Sequence, residues 1–311
     1  MTLGYEHKPV LLDEVIEALA IRANGFYIDA TFGRGGHSRA ILQRLGREGQ
    51  LLAFDKDPTA INSIATDVVS DPRFAIVQGS FTMLMQQVEK RKMTGKVAGI
   101  LFDFGVSSPQ LDDPHRGFSF RHDAPLDMRM DPTSGMPVSE WLNMADEKEI
   151  ADVIYQYGEE RASRRIARAI VNDREQQPFT HTRQLADLIQ RLLPGKKHDI
   201  HPATRTFQAL RIFINHELED IEQVLPQAVT ALAKGGRLAA ISFHSLEDRI
   251  VKRFIRDASR PPSVPIAIPV MPDDSQVSLK PVGKKQRAST QEISNNPRAR
   301  SAVLRVAEKL S

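Results

Sequence analysis

The sequence predicts an α/β protein with a mostly parallel, doubly wound sheet that an all-helical segment interrupts. Short apolar runs alternate with helical periodicity up to residue 102, and the same alternation returns after about residue 206. Short apolar strands separated by helices are typical of a parallel sheet with helices on both faces. Between these regions, residues 138–193 have helical periodicity alone. We therefore expect one Rossmann-like core divided by a helical insertion.

The first part of the chain predicts four strands with helices between them. Apolar residues at helical spacing indicate a leading amphipathic helix over 10–19. The predicted strands then lie at 26–31, 50–54, 74–77 and 97–102. Helices are predicted at 38–45, from 58 onward and at 82–92. Two of the strands are followed directly by an aspartate, Asp55 and Asp103.

The second part of the chain begins with a break in this pattern. Residues 112–136 are rich in Asp, Pro, Arg and Gly, which predicts a long ordered or substrate-closing loop. Helical periodicity then fills residues 138–193. The α/β pattern resumes with a long helix at 206–232, a fifth strand at 237–243, a helix at 246–257 and a closing strand at 301–307.

The domain boundaries follow from where the alternation stops and resumes. We expect a core made of residues 1–112 and 216–311 and an inserted helical domain of residues 113–215. Residues 260–296 are rich in Pro, Ser, Lys and Gln, so we expect them to be partly mobile.

Length and composition exclude several classes of protein. The chain of 311 residues is 41% hydrophobic, which is enough for a large domain with an insertion. It has no run of 18 uncharged apolar residues, and carboxylates interrupt its first 30 residues, so we expect a cytoplasmic protein without a membrane segment. Cysteine is absent, which excludes disulfides, thiolate zinc sites and thiolate nucleophiles.

The net charge of +3 conceals two basic blocks. Residues 155–215 carry 11 Lys and Arg against 6 Asp and Glu, and residues 280–311 carry 8 against 2. Such blocks contact phosphates in many proteins, but they are also common as solvated surface. The candidate nucleic-acid contacts are Arg164, Arg165, Arg168, Arg205, Arg211, Arg298 and Arg300.

A glycine loop is the strongest local signal. Gly33, Gly35, Gly36 and His37 lie between a predicted strand and the predicted helix that begins at residue 38. Glycines let the backbone approach a ligand closely, and the helix N-terminus offers unpaired N–H groups. Asp55 stands about twenty residues further on, at the end of the second strand, where a carboxylate can accept both hydroxyls of a ribose. The pair favours a nucleoside-bearing cofactor over a mere tight turn and a mere helix cap.

The same residues favour S-adenosylmethionine as that cofactor. A nicotinamide dinucleotide fingerprint needs a third glycine, and Ser38 stands at its place. S-adenosylmethionine needs glycine room, a carboxylate for the ribose, and later a polar residue near the adenine or the sulfonium. Asp103 after the fourth strand fits that later place. Phe81, just beyond the third strand, is a candidate to flank the adenine, although it also fits an ordinary core position.

The segment from Asp103 to Gln110 lies where amino-group methyltransferases place a polar residue followed by Pro-Pro-aromatic, and it matches that pattern only loosely. An exocyclic amine is a poor nucleophile, so an acceptor must hold its N–H. Asp103, Ser107 and Ser108 are the candidate catalytic residues for this task. Methylation at carbon 5 of a pyrimidine proceeds through a thiolate, which this chain lacks, so nitrogen or oxygen is left as the methyl acceptor.

Eight motifs, in order along the chain, resemble those of the ribosomal RNA small subunit methyltransferase H family of bacteria. They are HKPVLL at 7–12, TFGRGGHS at 31–38, DFGVSSPQLD at 103–112, RGFSF at 116–120, PLDMRMD at 125–131, HPATRTFQALR at 201–211, SFHSLEDR at 242–249 and NPRARS at 296–301. Eight long motifs are far more specific than one glycine loop. The resemblance covers almost the entire chain, and only about residues 258–292 fall outside it.

The resemblance implies N4-methylation of cytidine 1402 (standard rRNA numbering) in the decoding centre of 16S rRNA. S-adenosylmethionine would be the donor, and the small ribosomal subunit the substrate. It also implies a class I methyltransferase core with an inserted helical domain for RNA recognition, and neither DNA nor a membrane as partner. A homodimer is left open. The implied cofactor contacts are Gly35, Gly36, His37, Asp55, Phe81, Asp103 and Gln110.

Two other functions use the same features. One is an NAD-type oxidoreductase built on the glycine loop, and Ser38 and the lack of a second mononucleotide half disfavour it. The other is a non-catalytic ribosome-assembly factor that binds RNA, against which the intact loop and acidic residues argue. We predict no metal site, because His198 and His201 have only Asp199 as a nearby carboxylate.

Two further groups of residues have open roles. His244 and Asp248 fit either a polar substrate pocket or a helix cap with a surface pair. Arg116, Arg121 and Arg129 either grip phosphates or pair with neighbouring aspartates, and the first role is favoured.

Overall fold

The computed structural model describes residues 9–194, 201–261 and 277–311. The chain forms two compact units, a core of Met1–Gly105 with Leu218–Ser311 and a helical unit of Val106–Glu217. These borders differ from those expected at 112 and 216. The reason at the first border is that Val106 and Leu111 pack against the apolar cluster of the helical unit.

One sheet of eight strands forms the core. The strands are β1 (Phe26–Asp29), β2 (Gln50–Asp55), β3 (Phe74–Gln78), β4 (Val97–Asp103), β5 (Leu232–Ser242), β6 (Leu279–Pro281), β7 (Gln286–Arg287) and β8 (Val303–Lys309). Their order is β3-β2-β1-β4-β5-β8-β6, and β7 also pairs with β8. β1 to β5 are parallel, whereas β8 runs antiparallel to β5, β6 and β7. The predicted fold class, a mostly parallel Rossmann-like sheet, is confirmed.

Fourteen α-helices accompany the sheet in the described part of the chain. Those of the core are α1 (Leu12–Leu19), α2 (Gly36–Arg44), α3 (Pro58–Asn62), α4 (Thr66–Val69), α5 (Leu84–Lys90), α12 (Glu217–Ala231), α13 (Ser245–Ala258) and α14 (Thr290–Asn295). Those of the helical unit are α6 (Ser108–Asp112), α7 (Val138–Met144), α8 (Glu147–Gly158), α9 (Ser163–Arg174), α10 (Thr182–Leu192) and α11 (Ala203–Asn215). No helix in the described ranges is long and apolar enough to cross a membrane.

Both faces of the sheet are covered, because alternate residues of each buried strand point to opposite sides. On one face, Ile28 and Ile100 belong to an apolar cluster with residues of α5, α12 and α13. On the other, Tyr27 and Leu101 belong to a cluster with residues of α1 and α2. Helices on both faces explain why the strands read as unbroken apolar runs in the sequence.

The helical unit has a core of its own, which α7 to α11 and the preceding loop supply. The loop predicted at 112–136 contains one short 3-10 helix, Pro114–Arg116, and is otherwise irregular. Asn215 of α11 ties this loop down: its Oδ1 accepts the Met130 N–H, and its Nδ2 donates to the Met128 carbonyl, each at 2.7 Å. The loop is therefore ordered by side-chain bonds to a helix.

One prediction about the C-terminal half is wrong. The single long helix at 206–232 is two helices, because His216 takes a left-handed conformation with φ +54° and ends α11. Pro226, which would be expected to end a helix, lies inside α12. The segment 260–296 was expected to be partly mobile, which stays a prediction; its described part contains β6, β7 and α14. Residues 262–276 lie outside the described residues.

Candidate active site

The carboxyl ends of three neighbouring strands carry aspartates. β1 ends at Asp29, β2 at Asp55 and β4 at Asp103. β1 lies between β2 and β4, and all three strands are parallel, so these residues share one edge of the sheet. Open α/β sheets bind their ligands outside this edge, where the strand order reverses. The structure thus places Asp55 and Asp103 at one edge of the sheet, with Asp29 between them.

The loop between β1 and α2 has a backbone that favours glycine. φ is +56° at Gly33 and +70° at Gly35, and Gly35 is the N-cap of α2. A Cβ on Gly35 would lie 2.5 Å from Cζ of Phe32, and one on Gly36 would lie 2.2 Å from Cγ of Pro9. The glycines are therefore required by the turn and by close packing. The loop also directs the N-terminus of α2 toward the ligand edge.

Asp55 holds this glycine loop in place. Its Oδ2 accepts the Gly33 N–H at 2.7 Å, and its Oδ1 accepts the Asp57 N–H at 2.8 Å. These two bonds fix the orientation of the carboxylate at the end of β2. The ribose contact expected of Asp55 stays a prediction.

Asp29 is a fully buried carboxyl at the centre of the edge, and the sequence reasoning gave it no role. Its Oδ2 accepts the Ser38 hydroxyl at 2.6 Å, and its Oδ1 accepts the Thr31 N–H at 3.2 Å. Burial raises the pKa of Asp29 to about 7, against the lowering effect of these bonds. Ser38, which replaces the third glycine of a dinucleotide fingerprint, therefore anchors α2 to the strand end. A serine at this glycine position was therefore the signal in the sequence that could have pointed to Asp29.

Asp103 is the carboxylate with the least satisfied oxygen at this edge. Its backbone N–H donates to Oγ1 of Thr31 at 2.7 Å, which ties the end of β4 to the loop after β1. Its Oδ1 is buried and has no hydrogen-bond partner in the part of the chain that the structure describes. Burial, followed by the charges of Asp29 and Glu247, raises the pKa of Asp103 well above its ordinary value. An unpartnered buried acceptor of this kind is suited to a ligand donor.

His37 is buried beside Asp103. Its Nε2 lies 3.1 Å from the Val10 carbonyl oxygen, and its Nδ1 lies 3.7 Å from Oδ2 of Asp103. Burial lowers the pKa of His37 to about 4, so the ring is neutral at pH 7. A neutral ring whose Nε2–H donates to Val10 has its acceptor nitrogen on the side of Asp103.

Glu247 is a further buried carboxylate near Asp103, and the sequence reasoning assigned it no role. It lies at the third position of α13, and its Oε2 accepts the Phe243 N–H at 2.7 Å. A Cβ on Gly105, which has φ +90°, would lie 3.7 Å from Oε1 of Glu247. The spacing from His244 to Glu247 is that of a capping box, which was the available sequence signal.

Phe81 lies at the end of β3 in a small aromatic cluster. Its ring is edge-on to Phe102 and Phe104, with centroids 5.8 and 6.0 Å away. The Ser80 hydroxyl caps the 3-10 turn that contains Phe81 by accepting the Thr82 N–H at 3.1 Å. The ring is partly buried, so both a core role and a role beside an adenine remain compatible with its position.

Asp220 of α12 links Ser80 to the end of β2. Its Oδ2 accepts from Nζ of Lys56 at 2.5 Å and from the Ser80 hydroxyl at 3.2 Å. Lys56 follows Asp55 directly, so this carboxylate connects the residues next to Asp55 and Phe81.

The remaining predicted site residues belong to the helical unit. Ser107 is the N-cap of α6, and its N–H donates to Oε1 of Gln110 at 2.8 Å. Gln110 is buried, and Ser108 is the first residue of α6. The structure therefore gives Ser107 and Gln110 a role in starting a helix. The catalytic role of Ser107 and Ser108 and the cofactor contact of Gln110 stay predictions.

Most of the residues whose roles were open in the sequence have contacts within the protein. Asp248 forms a paired contact with Arg305 of β8, with Oδ1 2.6 Å from Nε, so it stabilises the sheet. His244 lies at the N-cap of α13, with Nε2 3.0 Å from Oε1 of Glu247. Arg129 binds Asp127 through two nitrogens, and Arg116 donates to the carbonyls of residues 129 and 130.

Other predicted positions are exposed or undescribed. Arg121 is exposed. His198 and Asp199 lie outside the described residues, as do the first two residues of the motif at 7–12.

The electrostatics of the edge select the kind of ligand. The charge of Asp29 adds to burial in raising the pKa of Asp103, and neither carboxyl forms an ion pair with Lys or Arg in the described ranges. Crowded carboxylates with an unpartnered acceptor attract a cation that carries hydrogen-bond donors. They repel an anion such as the pyrophosphate of a dinucleotide. S-adenosylmethionine, with a sulfonium and an ammonium group, therefore fits this edge.

The strand order, the glycine loop after β1 and this carboxylate-rich edge define a class I methyltransferase core that uses S-adenosylmethionine. The chain belongs to the MraW methylase family, which matches residues 4–310. This family is the ribosomal RNA small subunit methyltransferase H family, so the resemblance found in the sequence is confirmed. The protein is accordingly an rRNA methyltransferase.

Several solved structures are similar to the chain at low identity. An rRNA methylase from Streptococcus thermophilus is 12% identical, with 96% of this chain and 94% of that chain covered and a TM-score of 0.37. A protein from Streptococcus mutans, solved in complex with SAH, is 13% identical over 96% and 97% of the two chains, with a TM-score of 0.42. A SAM-dependent O-methyltransferase from Thermotoga maritima is 10% identical over 96% and 64%, with a TM-score of 0.41.

Proposed function

We propose that this protein methylates N4 of cytidine 1402 (standard rRNA numbering) in 16S rRNA of the small ribosomal subunit, in the cytoplasm. The observation that carries the proposal is Asp103. It ends β4 with a buried, unpartnered Oδ1 at the ligand edge, at the head of the family motif that extends to residue 112. An acceptor at this place is what an exocyclic amine requires in order to react.

The donor would be held by residues of the core. Gly33, Gly35 and Gly36 leave room beside the N-terminus of α2, and Asp55 would accept the ribose hydroxyls. When bound, S-adenosylmethionine supplies an electrophilic methyl group on its sulfonium. Asp103, with neutral His37 beside it, would face the cationic part of the donor.

The amine of cytosine needs orientation more than it needs a base. Its lone pair is delocalised into the ring, and it becomes available when an acceptor holds one N–H. Asp103, Ser107 and Ser108 would supply such acceptors, since the two serines follow Asp103 by four and five positions in the chain. The proton that must leave becomes acidic once nitrogen has four substituents. Positioning and desolvation of the base would therefore supply most of the rate.

Cysteine chemistry supports nitrogen as the methyl acceptor. Methylation at carbon 5 of cytosine uses a thiolate that adds to the ring, and the sequence has no cysteine. The exocyclic nitrogen of the same base needs no such nucleophile. A 2′-oxygen or another ring nitrogen would give a different nucleoside, which the product analysis below distinguishes.

The test combines labelled S-adenosylmethionine with small subunits, naked rRNA and DNA, followed by nucleoside identification. We expect label in small-subunit RNA as N4-methylcytidine. Label in 3-methyluridine, in DNA or in protein would overturn the proposal. Replacement of Asp103 by Ala is the matched variant, and an unchanged rate with unchanged donor affinity would show that the site is wrongly chosen.

The alternative functions make different predictions. An NAD-type oxidoreductase would bind a dinucleotide, which the carboxylates at this edge disfavour. Titration with NAD and with S-adenosylmethionine separates the two. A non-catalytic assembly factor would bind subunits and transfer no label from the donor.

A further inference from the structure

We infer that exposed arginines at the start of α9 bind the phosphate backbone of RNA, an inference that rests on the proposed RNA substrate. The surface consists of Arg161, Arg164 and Arg165, and we call it the α9 arginine surface. All three side chains are exposed. None of their side chains forms an ion pair or a hydrogen bond within the described ranges. By contrast, five other arginines of the helical unit have carboxylate or carbonyl partners: Arg168, Arg174, Arg191, Arg205 and Arg211.

The periodicity of α9 explains why these residues are exposed. Ser163, Ile166, Ala167 and Ile170 are buried on one side of the helix. Arg161 lies in the turn before α9, whereas Arg164 and Arg165 lie in its first turn and begin an exposed stripe along the helix. Arg168 extends the stripe by one turn, and its Nε lies 3.5 Å from Oε1 of Glu147.

The placement of these arginines is unfavourable for the helix itself. The N-terminus of a helix is the positive end of its dipole, and acidic residues stabilise it there. α8 follows that rule with Glu147 and Glu149 in its first turn. α9 has no acidic residue in its first turn, and Arg164 and Arg165 stand there in their place. Two unpaired cations at the positive end of a helix point to an anionic partner outside the chain.

The other arginines of the unit are used within the fold. Arg174 donates to the carbonyls of Leu142 and Ala145 at 2.6 and 2.7 Å. Arg211 forms a two-point pair with Glu217, with both distances 2.8 Å. Arg211 was a sequence candidate for RNA contact, and the structure shows it as an internal structural residue. The basic block at 155–215 therefore contains both structural and unpartnered arginines.

The basic block at the C-terminal end has a different explanation. Lys280, Lys284, Lys285 and Arg287 are exposed along the edge strand formed by β6 and β7, which is interrupted at Gly283. Lysines and irregularities on an edge strand prevent pairing with other chains. Charge there has a structural reason, whereas charge at the start of α9 has none.

Phosphate is the chemistry that fits the α9 arginine surface. Guanidinium groups bind phosphate oxygens through two parallel N–H bonds, and a row of them follows a backbone without reading the bases. Each phosphate contact releases counterions. The logarithm of the binding constant therefore falls by about 0.7 to 0.9 per contact for each tenfold rise in salt concentration.

The test compares two double charge reversals in the same unit. R164E/R165E changes the α9 arginine surface, and R191E/R205E makes the same charge change at exposed arginines of α10 and α11 that have carboxylate partners. We expect R164E/R165E to weaken binding to small subunits at least about tenfold. The slope of the logarithm of the binding constant against the logarithm of the salt concentration (the salt slope) should become less steep by about 1.5. The R191E/R205E variant is expected to bind like the wild type. Donor affinity should be unchanged in both.

Stability provides an independent readout for the same variants. Glutamates at 164 and 165 complete the first turn of α9 in the favourable sense, so its melting temperature should not fall. Equal loss of binding in both variants would mean an effect of net charge, and it would overturn the inference. Unchanged binding and salt slope in R164E/R165E would also overturn it. If the wild type neither binds nor methylates small subunits, the proposed function fails instead, and no variant is needed to see this.

Discussion

The two units of this protein differ in whether their buried charged groups have hydrogen-bond partners. In the helical unit, inward-facing arginines have acceptors in good geometry, as Arg211 has in Glu217 and Arg174 has in two carbonyls. In the core, Asp29 and Asp103 are crowded together at the ligand edge, and an oxygen of Asp103 has no partner in the described ranges. Satisfied charges stabilise a fold, whereas crowded ones destabilise it and are kept for a ligand.

The largest predicted effect is a loss of stability caused by a substitution in the helical unit. Replacement of Arg211 by Ala leaves the buried Glu217 carboxylate without its two-point partner. Breaking a buried pair in this way is expected to lower the free energy of unfolding by about 4 kcal/mol. Urea unfolding at pH 7 measures it. Arg164→Ala is the control, and its expected change is within about 0.5 kcal/mol. Equal effects for both variants would remove the contrast between satisfied and unpartnered arginines.

The next effect concerns activity in the core. Asp103→Asn keeps the shape of the side chain and removes its charge. We expect methyl transfer to fall at least about 100-fold, which corresponds to about 2.8 kcal/mol in the barrier. The melting temperature of the same variant should rise, because a crowded carboxylate has been removed from the edge. Asp67→Asn is the control, since Asp67 is exposed and pairs with Arg39. A variant of Asp103 that loses both stability and activity would show that this carboxylate is structural.

The third effect is a pH dependence of stability that Asp29 confers on the core. Its folded-state pKa is about 7, above the ordinary value of 3.8, so the folded protein holds a proton that the unfolded chain releases. Stability from this residue is therefore present at low pH and is lost as pH rises through 7. Between pH 5 and pH 7 the loss amounts to about 2 kcal/mol.

Asp29→Asn should flatten this part of the curve. The measurement is the difference between wild-type and variant unfolding free energies at several pH values, without donor. A difference that does not vary with pH would mean that Asp29 stays ionised in the folded protein, and the crowding of carboxylates would then be overstated.

The smallest effect compares one glycine from each unit. Gly35 in the core has φ +70°, and a Cβ there would lie 2.5 Å from the Phe32 ring. Gly135 in the helical unit has φ +75°, with nothing within 4 Å of such a Cβ. Both alanine variants should be destabilised by about 1 kcal/mol through backbone strain, and Gly35→Ala by about 1 kcal/mol more through crowding.

Donor binding completes this comparison. Only Gly35→Ala should weaken the affinity for S-adenosylmethionine, measured by calorimetry. If Gly135→Ala does so equally, the special role of the glycine loop is refuted.

Much of the fold could be predicted from local patterns, because buried parallel strands read as apolar runs and their order follows from the alternation with helices. β1 to β4 overlap closely with their predicted ranges, whereas β5 begins at Leu232, before its predicted start at 237. The break at His216 could not be foreseen, because neither Gly nor Pro marks it and the left-handed turn depends on tertiary packing.

The candidate site also has a part that the sequence predicts and a part that it does not. Gly33, Gly35, Asp55 and Asp103 lie at strand ends, which a local pattern can identify. The pairing of Asp248 with Arg305 joins residues 57 positions apart, so it could not be read from spacing. Glu247 comes close to Asp103 for the same non-local reason. Local sequence therefore predicts where the ligand edge is, and the tertiary structure determines how its charges interact.

The position of the helical unit in the chain has a consequence for how the protein folds during its synthesis. β4 pairs with β5 through residues as distant as Asp103 and Ile241, and the whole helical unit lies between them. A chain made from its N-terminus completes β1 to β4 and then the helical unit before β5 exists. A flexible segment of this length would make that late pairing slow, because its closure costs entropy. A helical unit that has already folded around its own core replaces the flexible segment with one compact body, and it shortens the interval in which β4 has an unpaired edge.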